Sequence, residues 1–422
     1  MQLNLGFGTG FQKVNIPNEN IQDILLANAI NHELVGPKEV ERALAFPIAS
    51  RRLRDIVKPG EKITVITSDI TRPLPTWEIL PCVLDELYAA GIKKQDIVLV
   101  FALGSHRRQS EEEKKHLAGI RAWNEICCVD SDQDDCIHLG VTRKGTPVDI
   151  TRIVANADRK ICIGNIEFHY FAGYSGGVKA MFPGVSTNNA IQCNHKLMIS
   201  EDACTGKIDG NPLRDDIEEA GKIAGVDFIV NVILDEQKRI VKAVAGDPVK
   251  AHREGCRYLD RMYKKELKKR ADIVIVSQGG APKDLNLYQT QKALDNAKHA
   301  VRKGGIIILI GSCKEGMGNK VFEEWMINSE SPQSIIDRIG NDFKLGGHKA
   351  AAIAMVLKKA EIYLVSDMPD ALVKSIFLTP MPSAQMALDK AFEKLGRNAS
   401  VVVMPYGGSV LPYVNSKNNE TK

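Results

Sequence analysis

His106, His169, His195 and Lys179 carry the groups best suited to chemistry in this chain of 422 residues. His106 and His169 each follow an apolar, strand-like run and lie in a glycine-containing loop. Imidazole titrates near neutrality, so either ring could act as general base or acid, and a merely solvated loop histidine is the plain alternative. Asp69 could orient an imidazole or stay charged beside Arg72, whose fork could hold a carboxylate or phosphate; an ion pair closing a loop would use the same two residues. Lys179 follows a polar glycine loop and precedes Ala180, Met181 and Phe182. A partly desolvated lysine loses its proton more readily and becomes nucleophilic, whereas a surface lysine does neither. His195 could ligate a metal as neutral imidazole, but no second ligand stands at i+4, and a single histidine makes a poor metal site by itself.

A fifth group lies far along the chain. In Tyr288-Gln-Thr-Gln-Lys292, Tyr288 and Lys292 stand at i and i+4 and share a helix face, with Gln289 beside Lys292. That face could grip a polar substrate, or a phosphate at the helix N-terminus, or be an ordinary exposed surface.

These residues need elements to position them. The run from Glu167 to Gly184 has neither helix nor strand period, and Gly173, Gly176 and Gly177 let it turn sharply and approach a ligand. Around it, short β-branched runs alternate with helical stretches. Ile63–Thr67 leads to Asp69, Ile97–Ala102 leads to His106, and Lys160–Ile163 leads to the glycine segment. A helix is expected from about Thr76 to Ala90, and another after the capping-box pair Ser110 and Glu113. Phe228–Leu234 and Ile240–Ala245 read as a hairpin. The basic run Lys264–Arg270 reads as the solvated face and end of a helix. A second set follows: strands at Ile273–Val276, Ile306–Ile310, Ile362–Val365 and Val401–Met404, with a helix at about Leu287–Arg302.

This alternation predicts an α/β fold of two α/β domains with mostly parallel sheets. The expected bounds are 1–268 for a catalytic, cofactor-anchoring domain and 271–400 for the second. Residues from about 403 to 422 are expected to pack back on the first, ending in a frayed tail from Asn415. Ligands of open α/β sheets sit at the carboxyl ends of strands, where Asp69, Arg72, His106 and the 167–184 segment all fall. The glycine loop after Val276 would close that crevice from the second domain, giving an active site in the interdomain cleft.

Composition narrows the function classes. The chain is 44% hydrophobic and 26% charged with a net charge of +4, an ordinary balance that gives no reason to expect a nucleic-acid partner. No apolar run approaches the ~18 residues of a membrane span, and the N-terminus lacks a signal-peptide layout, so no membrane partner and a cytoplasmic location are expected. The nine cysteines show no zinc-type Cys-x-x-Cys pair and are expected reduced and mostly buried.

Taken together, Ser68-Asp-Ile-Thr-Arg-Pro73, Gly104-Ser-His-Arg107, His169-Tyr-Phe-Ala-Gly-Tyr-Ser-Gly-Gly-Val-Lys179, Asn194-His195 and Tyr288-Gln-Thr-Gln-Lys292 resemble the nickel-dependent lactate racemase family, in order and over nearly the full length. The resemblance implies an isomerase that racemises lactate or a related 2-hydroxy acid by reversible hydride transfer to a nickel pincer nucleotide, a pyridinium-3,5-bisthiocarboxylic acid mononucleotide holding Ni. It implies that Lys179 tethers the nucleotide through a thioamide and that His195 is the one protein ligand to nickel. His106 and His169 would be the paired acid/base residues, with Asp69 orienting His106. Asp69, Thr71, Arg72, Ser175, Gly176, Gly177, Gln289 and Lys292 would line the cofactor, and Arg72, Tyr288, Gln289 and Lys292 the substrate. Cofactor-biosynthesis proteins are implied as partners, and a homo-oligomer stays open. Ile70, Tyr170, Tyr174 and Val178 depart from the lactate enzymes' pattern and put the identity of the 2-hydroxy acid in question. A competing NAD-dependent dehydrogenase lacks its Gly-x-Gly-x-x-Gly. A non-catalytic nucleotide-binding protein would need neither His106 nor His169.

Overall fold

The computed structural model describes residues 1–415. Two compact units result: one is Ile30–Arg261, and the other joins Met1–Ala29 to the chain from Met262 onward. Both are α/β with large, mostly parallel sheets.

The sheet of the 30–261 unit runs, strand by strand, Ile240–Gly246, Phe228–Leu234, Arg159–Asn165, Ile63–Ser68, Ile97–Ala102, Cys127–Asp130. Every neighbouring pair is parallel except the first two strands, the expected hairpin, which carries a bulge at Ile233/Leu234. The central strands are apolar throughout because both faces are covered: Val65, Ile66, Leu99, Val100, Ile161 and Ile163 are inaccessible to solvent. Helix Thr76–Ala89 buries Ile79, Leu80, Val83, Leu84 and Leu87, spaced as one helical stripe, into the core on one face. Each such side chain contributes about 1.5–3 kcal/mol when fully buried. The capping box forms as expected: Ser110 Oγ accepts from the Glu113 amide at 3.2 Å, and Glu113 Oε2 from the Ser110 amide at 2.9 Å.

The second unit holds a six-stranded, fully parallel sheet: Thr379–Met381, Ala360–Val365, Val301–Ile310, Ala271–Ser277, Val401–Met404, Ile21–Ile24. The structure here departs from the expected bounds. Ile21–Ile24 is the edge strand beside Val401–Met404, and Leu5, Val14 and Ile16 from the N-terminal hairpin Gln2–Phe7/Gly10–Asn15 share a core with Ile273, Ile275 and Ile306. Residues 1–29 therefore leave the expected 1–268 domain, and the strands after residue 400 stay with the second unit. Of the expected tail, residues 416–422 lie outside the described residues.

The basic run is also different. Helix Lys250–Tyr263 ends before it, and Lys264–Leu267 is a short strand paired in parallel with Leu411–Val414. This long-range pairing supplies its backbone bonds while Lys264 lies over the Tyr413 ring at 5.2 Å. Helix Leu287–Ala297 is shorter than expected because strand Val301–Ile310 begins early. The nine cysteines are all free, but only Cys82, Cys162, Cys256 and Cys313 are buried. No helix among the described residues is long and apolar enough to cross a membrane.

Candidate active site

Three adjacent parallel strands of the 30–261 unit, Arg159–Asn165, Ile63–Ser68 and Ile97–Ala102, deliver the expected residues at their carboxyl ends. Asp69 is buried one residue past the middle strand. His106 Nδ1 donates to Asp69 Oδ2 at 2.7 Å, and Thr71 Oγ1 donates to Asp69 Oδ1 at 2.8 Å. The loop is fixed by a relay not anticipated from sequence: Gln109 Oε1 accepts from the Ile70 amide at 2.8 Å, while the Gln109 side chain donates to Asp130 at 3.0 Å. Burial pulls the Asp69 carboxyl upward, but the hydrogen bonds from His106 and Thr71 and the fields of His106 and Arg72 outweigh it and hold the group below the usual carboxylate range. It is therefore a carboxylate at neutral pH. Arg72 is exposed and acts on Asp69 through its field; no loop-closing ion pair forms between them.

The 167–184 segment folds as a two-rung ladder, Phe168–His169 against Gly173–Tyr174, followed by a tight turn at Gly177–Ala180 that carries Lys179. Gly173 has φ 75°, and a Cβ there would stand 1.9 Å from the Lys207 carbonyl oxygen, so only glycine fits. His169 Nδ1 accepts from the Ala172 amide at 3.3 Å. Its ring stacks on Tyr170 at 5.4 Å and meets the edge of Phe171 at 4.5 Å, and Phe171 in turn meets His195 at 5.0 Å. One phenyl ring thus spaces the two histidines. Burial, then the fields of Arg214 and Arg72, press the Lys179 amine well below the ordinary lysine range. Burial also holds His169 well below the imidazole range and pushes His195 down to about 3. Both rings are neutral at pH 7, the form in which imidazole ligates metals or accepts protons.

Behind the segment stand three buried side chains that the sequence alone did not single out. Arg214 Nε donates to the Ala172 carbonyl at 3.2 Å and its Nη2 to the Tyr174 carbonyl. The His252 ring bonds the Ser175 carbonyl through Nε2 at 2.8 Å, and Asn231 Oδ1 accepts from the Gly177 amide at 2.6 Å. Arg214 does leave one signal in the sequence. It sits in the first turn of helix Pro212–Ile223, the positive end of the macrodipole, where a cation is disfavoured and needs another reason.

Three of the four residues that depart from the lactate pattern face the core. Val178 packs on Gly221 of that helix, Tyr174 donates to Asp260 at 2.6 Å, and half-buried Ile70 joins the main apolar cluster. Only Tyr170 remains against a reactive ring.

Tyr288, Gln289 and Lys292 lie in the other unit, on helix Leu287–Ala297, with Lys292 exposed. Asn286 Oδ1 already caps the Gln289 amide at 3.1 Å, so the expected phosphate grip at that N-terminus has one amide fewer to offer. Tyr288 is backed by the buried Lys349, whose Nζ lies 5.5 Å from its ring and bonds Gln291 at 2.8 Å.

Among the described residues, no group of three or more His, Cys, Asp or Glu side chains could hold a metal ion. His195 would be a lone protein donor, and the other donors would have to arrive with the metal. The residues around Lys179 fit such a group. Burial biases the amine toward its neutral, nucleophilic form, and buried polar capacity is unmet at Arg214 Nη1, Asn231 Nδ2 and Asn194 Oδ1.

Known proteins resemble this chain over its length. Residues 7–206 match the lactate racemase N-terminal domain and residues 267–412 the lactate racemase C-terminal domain. The chain is 33% identical to a lactate racemase of Thermoanaerobacterium thermosaccharolyticum, covering 97% of this chain and 98% of that one. It is 31% identical to that of Lactiplantibacillus plantarum, over 94% and 96%. The lactate racemase apoprotein structure from T. thermosaccharolyticum superposes with a TM-score of 0.88, at 32% identity, over 98% of this chain and 100% of that one. A Thermotoga maritima protein at 17% identity shares the fold with a TM-score of 0.64.

Proposed function

This chain belongs to the lactate racemase family, and from that membership we propose that it interconverts the enantiomers of lactate or a closely related 2-hydroxy acid. The cofactor would be a nickel pincer nucleotide, tethered to Lys179 and ligated through nickel by His195. The supporting observation is the His106–Asp69 pair at 2.7 Å, set at the strand end next to the one that leads into the His169 and Lys179 loop.

The α-hydrogen of a 2-hydroxy acid is a poor acid, because its removal would place a second negative charge beside the carboxylate. When bound, the nucleotide supplies an acceptor for that hydrogen as hydride. His106 is arranged for the accompanying proton transfer. Its Nδ1–H is committed to Asp69, so Nε2 keeps its lone pair and takes the hydroxyl proton, and the Asp69 carboxylate stabilises the imidazolium. Loss of hydride and proton leaves a planar 2-keto acid. Rotation of that acid, return of hydride to its other face and passage of the proton from His106 back to the oxygen give the mirror image; His169 would be the corresponding acid/base residue for the opposite enantiomer. Arg72, on the loop after the Asp69 strand, would hold the carboxylate throughout.

The test is to produce the chain together with the cofactor-making proteins. Expected are nickel in the purified protein, added mass on the peptide containing Lys179, and loss of optical rotation with at least one 2-hydroxy acid. An unmodified Lys179 under those conditions refutes the cofactor assignment. His195→Ala should lower nickel retention while leaving the mass on Lys179.

A further inference from the structure

Arg214 is in a costly place. Its side chain is wholly inaccessible to solvent, it stands in the first turn of a helix whose dipole opposes it, and no carboxylate lies within ion-pair distance among the described residues. Each feature destabilises a cation, since a buried charge normally demands a paired and fully bonded partner. What the guanidinium has instead is two backbone carbonyls, Ala172 and Tyr174, on either side of Gly173. A planar fork with several fixed donors spans two such acceptors in a set geometry, whereas the rotatable donors of an ammonium fix that geometry less well.

The two peptide groups are not arbitrary. Ala172 gives its carbonyl to Arg214 and its N–H to His169 Nδ1, so the guanidinium holds the residue whose amide in turn holds the imidazole. Tyr174 is the rung that pairs with Phe168, the residue before His169. His252 and Asn231 then hold Ser175 and Gly177, the next stretch toward Lys179. Backbone groups from 172 to 177 are thus gripped by side chains from two helices and one strand.

We propose that Arg214 is a positioning residue for the reaction, fixing through the Ala172 and Tyr174 carbonyls the loop that aims His169 and carries Lys179. The catalytic part of this assignment rests on the racemase function proposed above; the loop-fixing part does not.

The test uses R214K and R214Q in the full chain. In cofactor-free protein, amide exchange of residues 169–178 should rise about tenfold or more in R214K, with strands Ile63–Ser68 and Ile97–Ala102 unchanged as internal references. In protein made with the cofactor system, kcat should fall about 100-fold, as expected for misplacing a reacting group by ~1 Å, at nearly constant KM and with Lys179 still modified. R214Q should show the same pattern more strongly; if it does not fold, R214K decides. Equal loosening of the reference strands would reduce Arg214 to general packing, and an unchanged loop with unchanged kcat would overturn the proposal. If wild-type Lys179 proves unmodified, the racemase assignment fails and the exchange measurement still judges the loop.

Discussion

The Nδ1 atoms of His106 and His169 meet opposite partners. One donates to a carboxylate at 2.7 Å and the other accepts from a backbone amide at 3.3 Å. In its neutral form His106 therefore carries its proton on Nδ1 and offers a lone pair at Nε2, while neutral His169 carries its proton on Nε2. The two rings thus present different tautomers, so the two faces of the site are not equivalent. Asp69→Asn keeps the shape but removes the charge that stabilises a protonated His106. We expect kcat to fall about 10²–10⁴-fold, the range for general acid–base catalysis, with little change in KM or in nickel content; steady-state polarimetry on the loaded enzyme measures it. The tyrosines of the glycine segment divide by role. Tyr174→Phe removes a buried hydrogen bond to a carboxylate and should cost about 1.5–3 kcal/mol in urea unfolding. Tyr170→Phe, against the His169 ring, should instead shift relative kcat/KM among 2-hydroxy acids; an unchanged ranking would remove it as a specificity determinant.

At the scale of elements, the glycine segment is a loop held in place rather than a loose one. Gly173 is its pivot: the position needs φ 75° and has no room for a methyl group. Gly173→Ala should cost at least about 1–3 kcal/mol from backbone strain alone and depress Lys179 modification in parallel, measured by urea unfolding and peptide mass. Wild-type stability in that variant would mean the Lys207 carbonyl moves aside freely. Local elements were largely readable from the residues themselves. The Ser110 capping box, the 228–246 hairpin and the apolar strands ending at Asp69, His106 and the glycine segment each declare themselves by short-range chemistry. What supports the site does not. Arg214, His252 and Asn231 meet the segment across 40, 77 and 54 residues of sequence, respectively, and Gln109 and Asp130 fix the Asp69 loop by the same kind of distant pairing. Lys264–Leu267 looked like a helix end because its true partner, Leu411–Val414, is at the far end of the chain.

At the scale of the whole molecule, the chain is threaded so that one unit is continuous and the other is assembled from both ends. The 30–261 unit draws its core from its own span. The second depends on residues 1–29 for more than an edge strand. Asn20 Nδ2 donates to the Arg397 and Ala399 carbonyls at 2.8 and 2.9 Å, the Leu25 amide to Val403 at 2.8 Å, and the Gly8 amide to buried Asp284 at 2.8 Å. Ser277 Oγ donates to the Gly6 carbonyl at 2.6 Å. Without residues 1–29, Asp284 and the inner face of Val401–Met404 lose partners that cannot be supplied locally, and the sheet presents a bare apolar edge. A fragment of residues 30–261 should therefore unfold cooperatively in urea, whereas a fragment from 262 onward should not until a peptide of residues 1–29 is added. Circular dichroism across a urea series decides the matter: cooperative unfolding of the C-terminal fragment alone, with a midpoint that the peptide does not move, would show that the first 29 residues decorate that sheet instead of completing it.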